Sequence, residues 1–168
     1  MSDARTNPND IEPRITVERD GHVLLIGFHR PDKRNAADLR LLQELSLAYG
    51  ELDRDPELRA GFVFTHGDHF TGGLDLADVG PRIGPNGLNI VPEGGIHPWA
   101  VDGRAVSKPV VMAVQGTCLT LGIELILASD MAVAADSTVF GQIEVSRGIL
   151  PFGGATIRLP RAVGWGNA

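Results

Sequence analysis

Two glutamates in apolar surroundings are the residues of this sequence best suited to chemistry. Glu124 stands at the start of an apolar segment over residues 122–129, and Glu144 lies among apolar and small residues. Buried carboxylates are uncommon, and a perturbed carboxylate in a cleft is a candidate for function. If both face one pocket, they can hold a water molecule between them. One then accepts a proton from that water while the other donates a proton to carbon, which is general acid–base chemistry.

Two short turns can supply backbone N–H groups to the same pocket. The first is Gly-Gly-Leu at residues 72–74, and the second is Thr-Leu-Gly at residues 120–122, where a helix is predicted to begin. Two N–H donors aimed at one point stabilise a developing oxyanion, and a helix N-terminus adds positive potential there. The turns therefore predict an oxyanion site beside the glutamates.

Each of these features also has a simpler interpretation. Glu124 in the first turn of a helix complements the helix dipole without any further role. Glu144 can be a solvated loop residue, and the two turns can be ordinary glycine turns. The residues taken singly leave both interpretations open, so the prediction of a site depends on their meeting in the fold.

Other reactive residue types give weaker patterns. Lys33 and Arg34 form a short basic pair that can meet a phosphate, although exposed basic pairs are usually only solvated. His66 and His69 lack a matching carboxylate or cysteine pattern, so we expect surface or capping histidines and no metal site. Cys118 has no basic partner nearby and is predicted to be a small buried residue.

Composition limits the class of protein. The chain has 168 residues, 43% of them hydrophobic, which is enough for one domain with its own core. The net charge of −6 and the scattered basic residues argue against nucleic acid and give no reason to expect a membrane-binding patch. The single cysteine cannot form an intramolecular disulfide, so a reducing, cytoplasmic location is expected. No apolar run approaches the length of a transmembrane helix.

Residues 1–14 are predicted to be a disordered lead-in and residues 15–168 the core domain.

Strands and helices alternate along the chain, which predicts an α/β fold. The predicted strands cover residues 15–19 and 22–28, joined by an Asp20-Gly21 turn, then residues 61–65, 110–114 and a buried strand over 131–135. The predicted helices cover residues 37–52 with Asn35 as the cap, a short piece near 99–106 within a long loop, residues 122–129, and residues 155–163 with a break or kink at Pro160.

Several motifs together resemble one family. Residues 70–76, Phe-Thr-Gly-Gly-Leu-Asp-Leu, are similar to the crotonase (enoyl-CoA hydratase/isomerase) pattern Phe-Ser-Ala-Gly-x-Asp-Leu. Further matches follow in the family's order: Asn35-Ala36, residues 108–116, Glu124-Leu125, Asp130, and residues 140–144 followed by Gly148, Pro151, Gly153 and Gly154. The resemblance runs from about Ile15 to the end of the chain.

The resemblance implies a spiral of ββα units, a homotrimer or hexamer, and an acyl-CoA thioester substrate. The CoA moiety enters as part of that substrate, so no separate cofactor is implied. By position, the oxyanion-hole amides fall on Leu74 and Leu121, and the two catalytic carboxylates of a hydratase fall on Glu124 and Glu144.

The resemblance also places substrate contacts. The backbone around Arg34 and Ala36 would line the CoA moiety, while Gly72, Asp75 and Leu76 would lie near the thioester. Because this sequence has both glutamates, the resemblance favours a hydratase over an isomerase.

Two departures from the family pattern leave alternatives open. Thr120 and Leu121 stand where the family usually has glycines. The sequence ends at Ala168, where the family continues into a helical trimerisation region, which we expect to be absent from this chain. The alternatives are an enoyl-CoA isomerase, another reaction through an acyl-CoA enolate, or a catalytically silent acyl-CoA-binding or assembly subunit.

Overall fold

The computed structural model describes residues 12–85 and 87–168. Of the lead-in predicted over residues 1–14, residues 1–11 lie outside the described residues. Arg14 donates from its backbone N–H to Glu44 Oε2 at 2.7 Å and from Nε to Asp38 Oδ2 at 3.1 Å. The described chain is therefore held against the first helix just before the first strand begins.

A five-stranded sheet forms the centre of the described chain. The strands are β1 (Ile15–Asp20), β2 (Val23–Phe28), β3 (Ala60–Thr65), β4 (Val110–Val114), β5 (Thr117–Leu119), β6 (Met131–Ala134) and β7 (Val139–Gly141). The main sheet has the order β1-β2-β3-β4-β6, in which only the β1–β2 hairpin is antiparallel. A second sheet pairs β5 with β7 in parallel. The predicted α/β class is confirmed.

Helices lie in the connections between the parallel strands, because parallel neighbours need a long crossover connection. They are α1 (Leu39–Arg54), α2 (Leu76–Val79), α3 (Leu121–Ala128) and α4 (Ala155–Val163), with 3₁₀ turns at Pro31–Lys33, Gly80–Arg82 and Glu144–Arg147. The apolar face of α1 packs on the sheet through leucines such as Leu41, Leu42 and Leu45, each at most 1% exposed. Burying each of these side chains contributes about 1.5–3 kcal/mol, which fixes α1 and the loop ahead of it.

The turn after β4 brings two loops together. Gly116 has φ of +58°, and a side chain there would overlap the carbonyl oxygen of Asp68. The backbone N–H of Phe70 donates to the carbonyl of Gln115 at 2.9 Å, and that of Thr71 donates to Thr117 at 3.0 Å. The loop after β3 therefore lies directly beside β5, which leads into α3.

The cap and turn predictions were wrong in two places. Asp38, not Asn35, caps α1, because its Oδ1 accepts from the N–H of Leu41 at 2.8 Å. Asn35 is instead fully buried and donates from Nδ2 to the carbonyls of His66 and His69. The hairpin turn lies one residue later than predicted, because Asp20 already pairs with Val23.

Two further predictions were wrong, and a third was wrong in part. Residues 99–106 form no helix, since the segment is irregular and Trp99 is anchored by its side chain instead. The strand predicted near 131–135 exists, but Met131 and Val133 are 60% and 64% exposed because β6 is the edge of the sheet. At Pro160, where a break or a kink was predicted, α4 is not broken and continues to Val163 without the hydrogen bond that the missing N–H would make.

Candidate active site

A cavity of about 270 Å³ lies between the loop after β3, the start of α3 and the segment after β7. Six of the nine predicted site residues line it: Gly72, Leu74, Leu76, Leu121, Glu124 and Glu144. The other lining residues are Leu119, Thr120, Ile143, Arg147, Ile149 and Phe152. The fold thus brings the two glutamates and both predicted amide turns to one apolar-walled cavity.

The main chain around Leu74 is held on both sides. The N–H of Ala37 donates to the carbonyl of Gly73 at 2.8 Å, and the N–H of Asp75 donates back to Ala37 at 2.9 Å. Among the described residues, the N–H of Leu74 itself has no protein acceptor. Its amide is therefore fixed in position and left available at the cavity wall.

The amide of Leu121 occupies the first position of α3, where helix N–H groups have no intrahelical partner. Within the described part of the chain it has no protein acceptor either. The preceding Thr120 has φ of +49°, a conformation that β-branched residues rarely adopt, and its N–H donates to Gly141 at 2.9 Å. The link to β7 thus fixes an unusual backbone turn at the cavity.

Glu124 is held deep in the cavity wall, with 1% of its surface exposed. Its Oε1 accepts from the N–H of Ala155, the first residue of α4, at 3.0 Å. Burial raises the pKa of Glu124, and the nearby charge of Glu144 raises it further. The amides of Ala155 and Gly153 and the charge of Arg158 oppose this rise of the pKa. Glu124 is thus a carboxyl group that can carry a proton closer to neutral pH than usual.

Glu144 begins the 3₁₀ turn after β7 and is 7% exposed. Its Oε1 accepts from Gln142 Nε2 at 2.6 Å, whereas its buried Oε2 has no hydrogen-bond partner among the described residues. Burial raises the pKa of Glu144, and the hydrogen bond from Gln142 partly offsets the rise. An unpartnered buried carboxylate oxygen at a cavity wall is suited to bind water or accept a proton.

Three predicted substrate contacts lie outside the cavity lining. The carbonyl of Arg34 accepts from the N–H of Gly72 at 2.8 Å, so Arg34 adjoins the lining. The carbonyl of Ala36 accepts from Arg30 Nη1, and Asp75 forms an ion pair with the same group, both at 2.8 Å. The Arg30 guanidinium lowers the pKa of Asp75. In this structure Ala36 and Asp75 support the loop that carries Leu74.

Residues from distant parts of the chain, which the sequence did not indicate, surround Glu124. Trp99, from the long loop, donates from Nε1 to the carbonyl of Leu121 at 3.0 Å, and Arg158 of α4 donates to the carbonyl of Trp99. No periodic pattern marks them. The only available signal was the Gly153-Gly154 pair just before α4.

The remaining reactive residues have structural partners. His69 Nδ1 accepts from the N–H of Thr117 at 3.1 Å, and His66 Nε2 lies 2.9 Å from Thr16 Oγ1. Cys118 is fully buried. Over residues 12–85 and 87–168, no cluster of three or more histidine, cysteine, aspartate or glutamate side chains is arranged to hold a metal ion. None of the helices in this part of the chain is long and apolar enough to cross a membrane.

Comparison with solved structures identifies the fold. A probable enoyl-CoA hydratase/isomerase from Mycobacterium abscessus superposes with a TM-score of 0.87 at 55% identity, covering 92% of this chain and 59% of that protein. An enoyl-CoA hydratase from Mycobacterium tuberculosis H37Rv gives a TM-score of 0.79 at 34% identity, covering 93% and 59%. These similarities confirm the crotonase-like α/β fold.

Sequence comparison agrees with the structural one. Enoyl-CoA hydratase EchA19 of Mycobacterium tuberculosis is 32% identical over 155 residues, covering 90% of this chain and 57% of that protein. The short-chain-enoyl-CoA hydratase of Clostridium acetobutylicum is 32% identical over 162 residues, covering 92% and 59%. This chain thus spans somewhat more than half the length of these relatives.

The family model for enoyl-CoA hydratase/isomerase matches residues 18–168. With that match covering most of the chain, and the paired glutamates and free amides at one cavity, the chain belongs to the enoyl-CoA hydratase/isomerase family.

Proposed function

We propose that the protein is an enoyl-CoA hydratase that adds water across the 2,3 double bond of an enoyl-CoA thioester. One observation carries the proposal: two buried carboxyl groups with raised pKa values and two unpaired backbone amides line the same cavity. The names of the relatives, which include several enoyl-CoA hydratases, support the same reaction.

In the proposed mechanism the thioester oxygen accepts hydrogen bonds from the amides of Leu74 and Leu121. These donors stabilise the negative charge that develops on the oxygen as the enolate forms. The oxygen of a water held between Glu124 and Glu144 bonds to C3 of the substrate while one carboxylate takes a water proton. The other carboxyl group then delivers a proton to C2, so that one water is added in total. Hydration transfers no electrons, so the proposed reaction requires no redox cofactor.

Isomerisation of the double bond is the second candidate within the same cavity. It would use a single carboxyl group to move a proton between C2 and C4, without adding water. The unpartnered Oε2 of Glu144 favours hydration, because it gives a second carboxylate a free oxygen for the attacking water.

The test is the hydration of crotonyl-CoA by the protein and by Glu124→Gln and Glu144→Gln variants. Each variant keeps the side-chain shape but removes the proton-transfer group, so kcat is expected to fall about 100-fold or more. Glu93→Gln is the matched control, since Glu93 is exposed and does not line the cavity. If both cavity variants hydrate crotonyl-CoA as fast as Glu93→Gln, the mechanism is wrong. If the protein binds crotonyl-CoA without turnover, a silent acyl-CoA-binding subunit is the better description.

Assembly and location complete the proposal. As the family resemblance implies, we expect the full-length protein to form a homotrimer or hexamer, which light scattering of the purified full-length protein would test. A cytoplasmic location is supported by the lone, buried thiol of Cys118. Fractionation of the cells that produce the protein would test the location.

A further inference from the structure

Arg158 connects two segments that are far apart in sequence. From the first half of α4, its Nη1 donates to the carbonyl of Trp99 at 2.7 Å and to that of Gly153 at 3.2 Å. Its Nη2 reaches the carbonyl of Ala100 at 3.4 Å. An arginine fork pre-organised in this way fixes backbone groups more closely than a flexible amine can.

The backbone around this guanidinium has an unusual conformation. Ala100 has φ of +49° and Gly154 has φ of +102°. The guanidinium lies so close to Gly154 that an added Cβ there would be 3.0 Å from Arg158 Nη1. Strained backbone persists where its surroundings determine it, and here Arg158 supplies those contacts.

The segments that Arg158 holds form the wall around Glu124. A Cβ added at Gly153 would lie 2.6 Å from Glu124 Oε2 and 2.7 Å from Trp99 Cδ1, so Gly153 is packed between them. Next along the chain, Ala155 donates its N–H to Glu124 Oε1. Trp99, only 1% exposed, also holds the first turn of α3 through its bond to Leu121.

We propose that Arg158 is a positioning residue for Glu124, acting by fixing the 153–155 turn and the Trp99 loop that enclose the carboxylate. Its effect on turnover rests on the hydratase function proposed above. Its effect on Glu124 itself does not, because the wall and the carboxylate are present without substrate.

Arg158 also contributes a charge to this wall. Among the described residues, the charged groups that act on Glu124 are Glu144, from the turn after β7, and Arg158, from α4. Arg158 lowers the pKa of Glu124, whereas Glu144 raises it. Removing the Arg158 charge is therefore expected to raise the pKa of Glu124 and shift the acidic limb of the kcat/KM profile to higher pH.

Three variants separate position from charge. Arg158→Met removes the fork and the charge, Arg158→Lys keeps the charge without the fork, and Arg161→Met is the control from the exposed side of α4. Carboxyl carbon NMR titration of Glu124, assigned by loss of the signal in Glu124→Gln, measures the pKa without any turnover. Circular dichroism and thermal unfolding establish that each variant is folded.

The expected results differ for each variant. Arg158→Met raises the Glu124 pKa and lowers kcat about 10- to 100-fold, as a carboxylate displaced by an ångström would. Arg158→Lys restores the pKa but only part of kcat, and Arg161→Met changes neither. A folded Arg158→Met protein with an unchanged Glu124 titration and unchanged kcat would overturn the proposal. If the wild-type protein does not turn over, the hydratase function fails, and the NMR titration still decides the role of Arg158.

Discussion

Substituting Gly153 by alanine adds one methyl group at the most crowded point of the wall around Glu124. Gly153 is buried and its φ is not in the left-handed region, so alanine can adopt the same backbone. The new Cβ would lie 2.6 Å from Glu124 Oε2, 2.8 Å from Glu124 Cδ and 2.7 Å from Trp99 Cδ1. The substitution therefore acts through steric contact alone.

The size of the effect follows from these distances. Ordinary carbon contacts begin near 3.5 Å, so the carboxylate or the indole must retreat by about 1 Å. Both are almost fully buried, which leaves little room to move. Overpacking of this kind costs about 1–3 kcal/mol of unfolding free energy, and a displacement of 1 Å at the reacting group lowers activity about 100-fold.

Two assays test this prediction. Urea unfolding gives the change in unfolding free energy, and initial rates with crotonyl-CoA give kcat and KM. Gly166→Ala is the control, because no atom lies within 4 Å of a Cβ added there and its φ is also not in the left-handed region. A Gly153→Ala protein with the stability and kcat of Gly166→Ala would refute the packing described around Glu124.

Two more predictions concern buried titratable groups. Because burial raises the pKa of Glu124, the folded state favours its protonated form, and that stabilisation is lost as pH rises from the ordinary glutamate pKa through the raised one. The unfolding free energy of the wild-type protein should therefore fall more than that of Glu124→Gln between about pH 4 and about pH 8. Urea unfolding at several pH values measures both free energies, and an equal decrease in the two proteins would contradict this prediction. Burial also raises the pKa of Cys118 to about 12, so the native thiol should resist a thiol reagent that labels the denatured chain fully. Rapid labelling of the folded protein would contradict this prediction, because it would show that the packing around Cys118 opens in the native state.

The sequence predicted the local elements well where one pattern dominates. The spacing of Leu42, Leu45 and Leu52 indicated α1, and the apolar run at residues 110–114 indicated β4. The cap was missed because Asn35, which suits a cap, is used in a buried network, and Asp38 takes the position three residues later. The exposure of β6 was missed because an apolar run does not reveal whether its strand is central or at the edge.

The candidate site likewise contains residues that the sequence indicated and residues that it did not. The sequence marked Glu124, Glu144 and the two amide turns as candidates, a family pattern joined them, and the structure brings them to one cavity. Trp99 and Arg158 could not be predicted, since their contacts join residues 59 positions apart. Such contacts depend on how the long loop packs on α4, which no local pattern encodes.

The most direct test of the proposed hydration mechanism is product analysis with crotonyl-CoA in oxygen-18-labelled water. Hydration by the two carboxyl groups predicts 3-hydroxybutyryl-CoA carrying the label on its C3 hydroxyl, formed by the wild-type protein and nearly lost in Glu124→Gln and Glu144→Gln. Turnover to an unhydrated isomer, or labelled product that persists in both variants, would contradict hydration by the two carboxyl groups at this cavity.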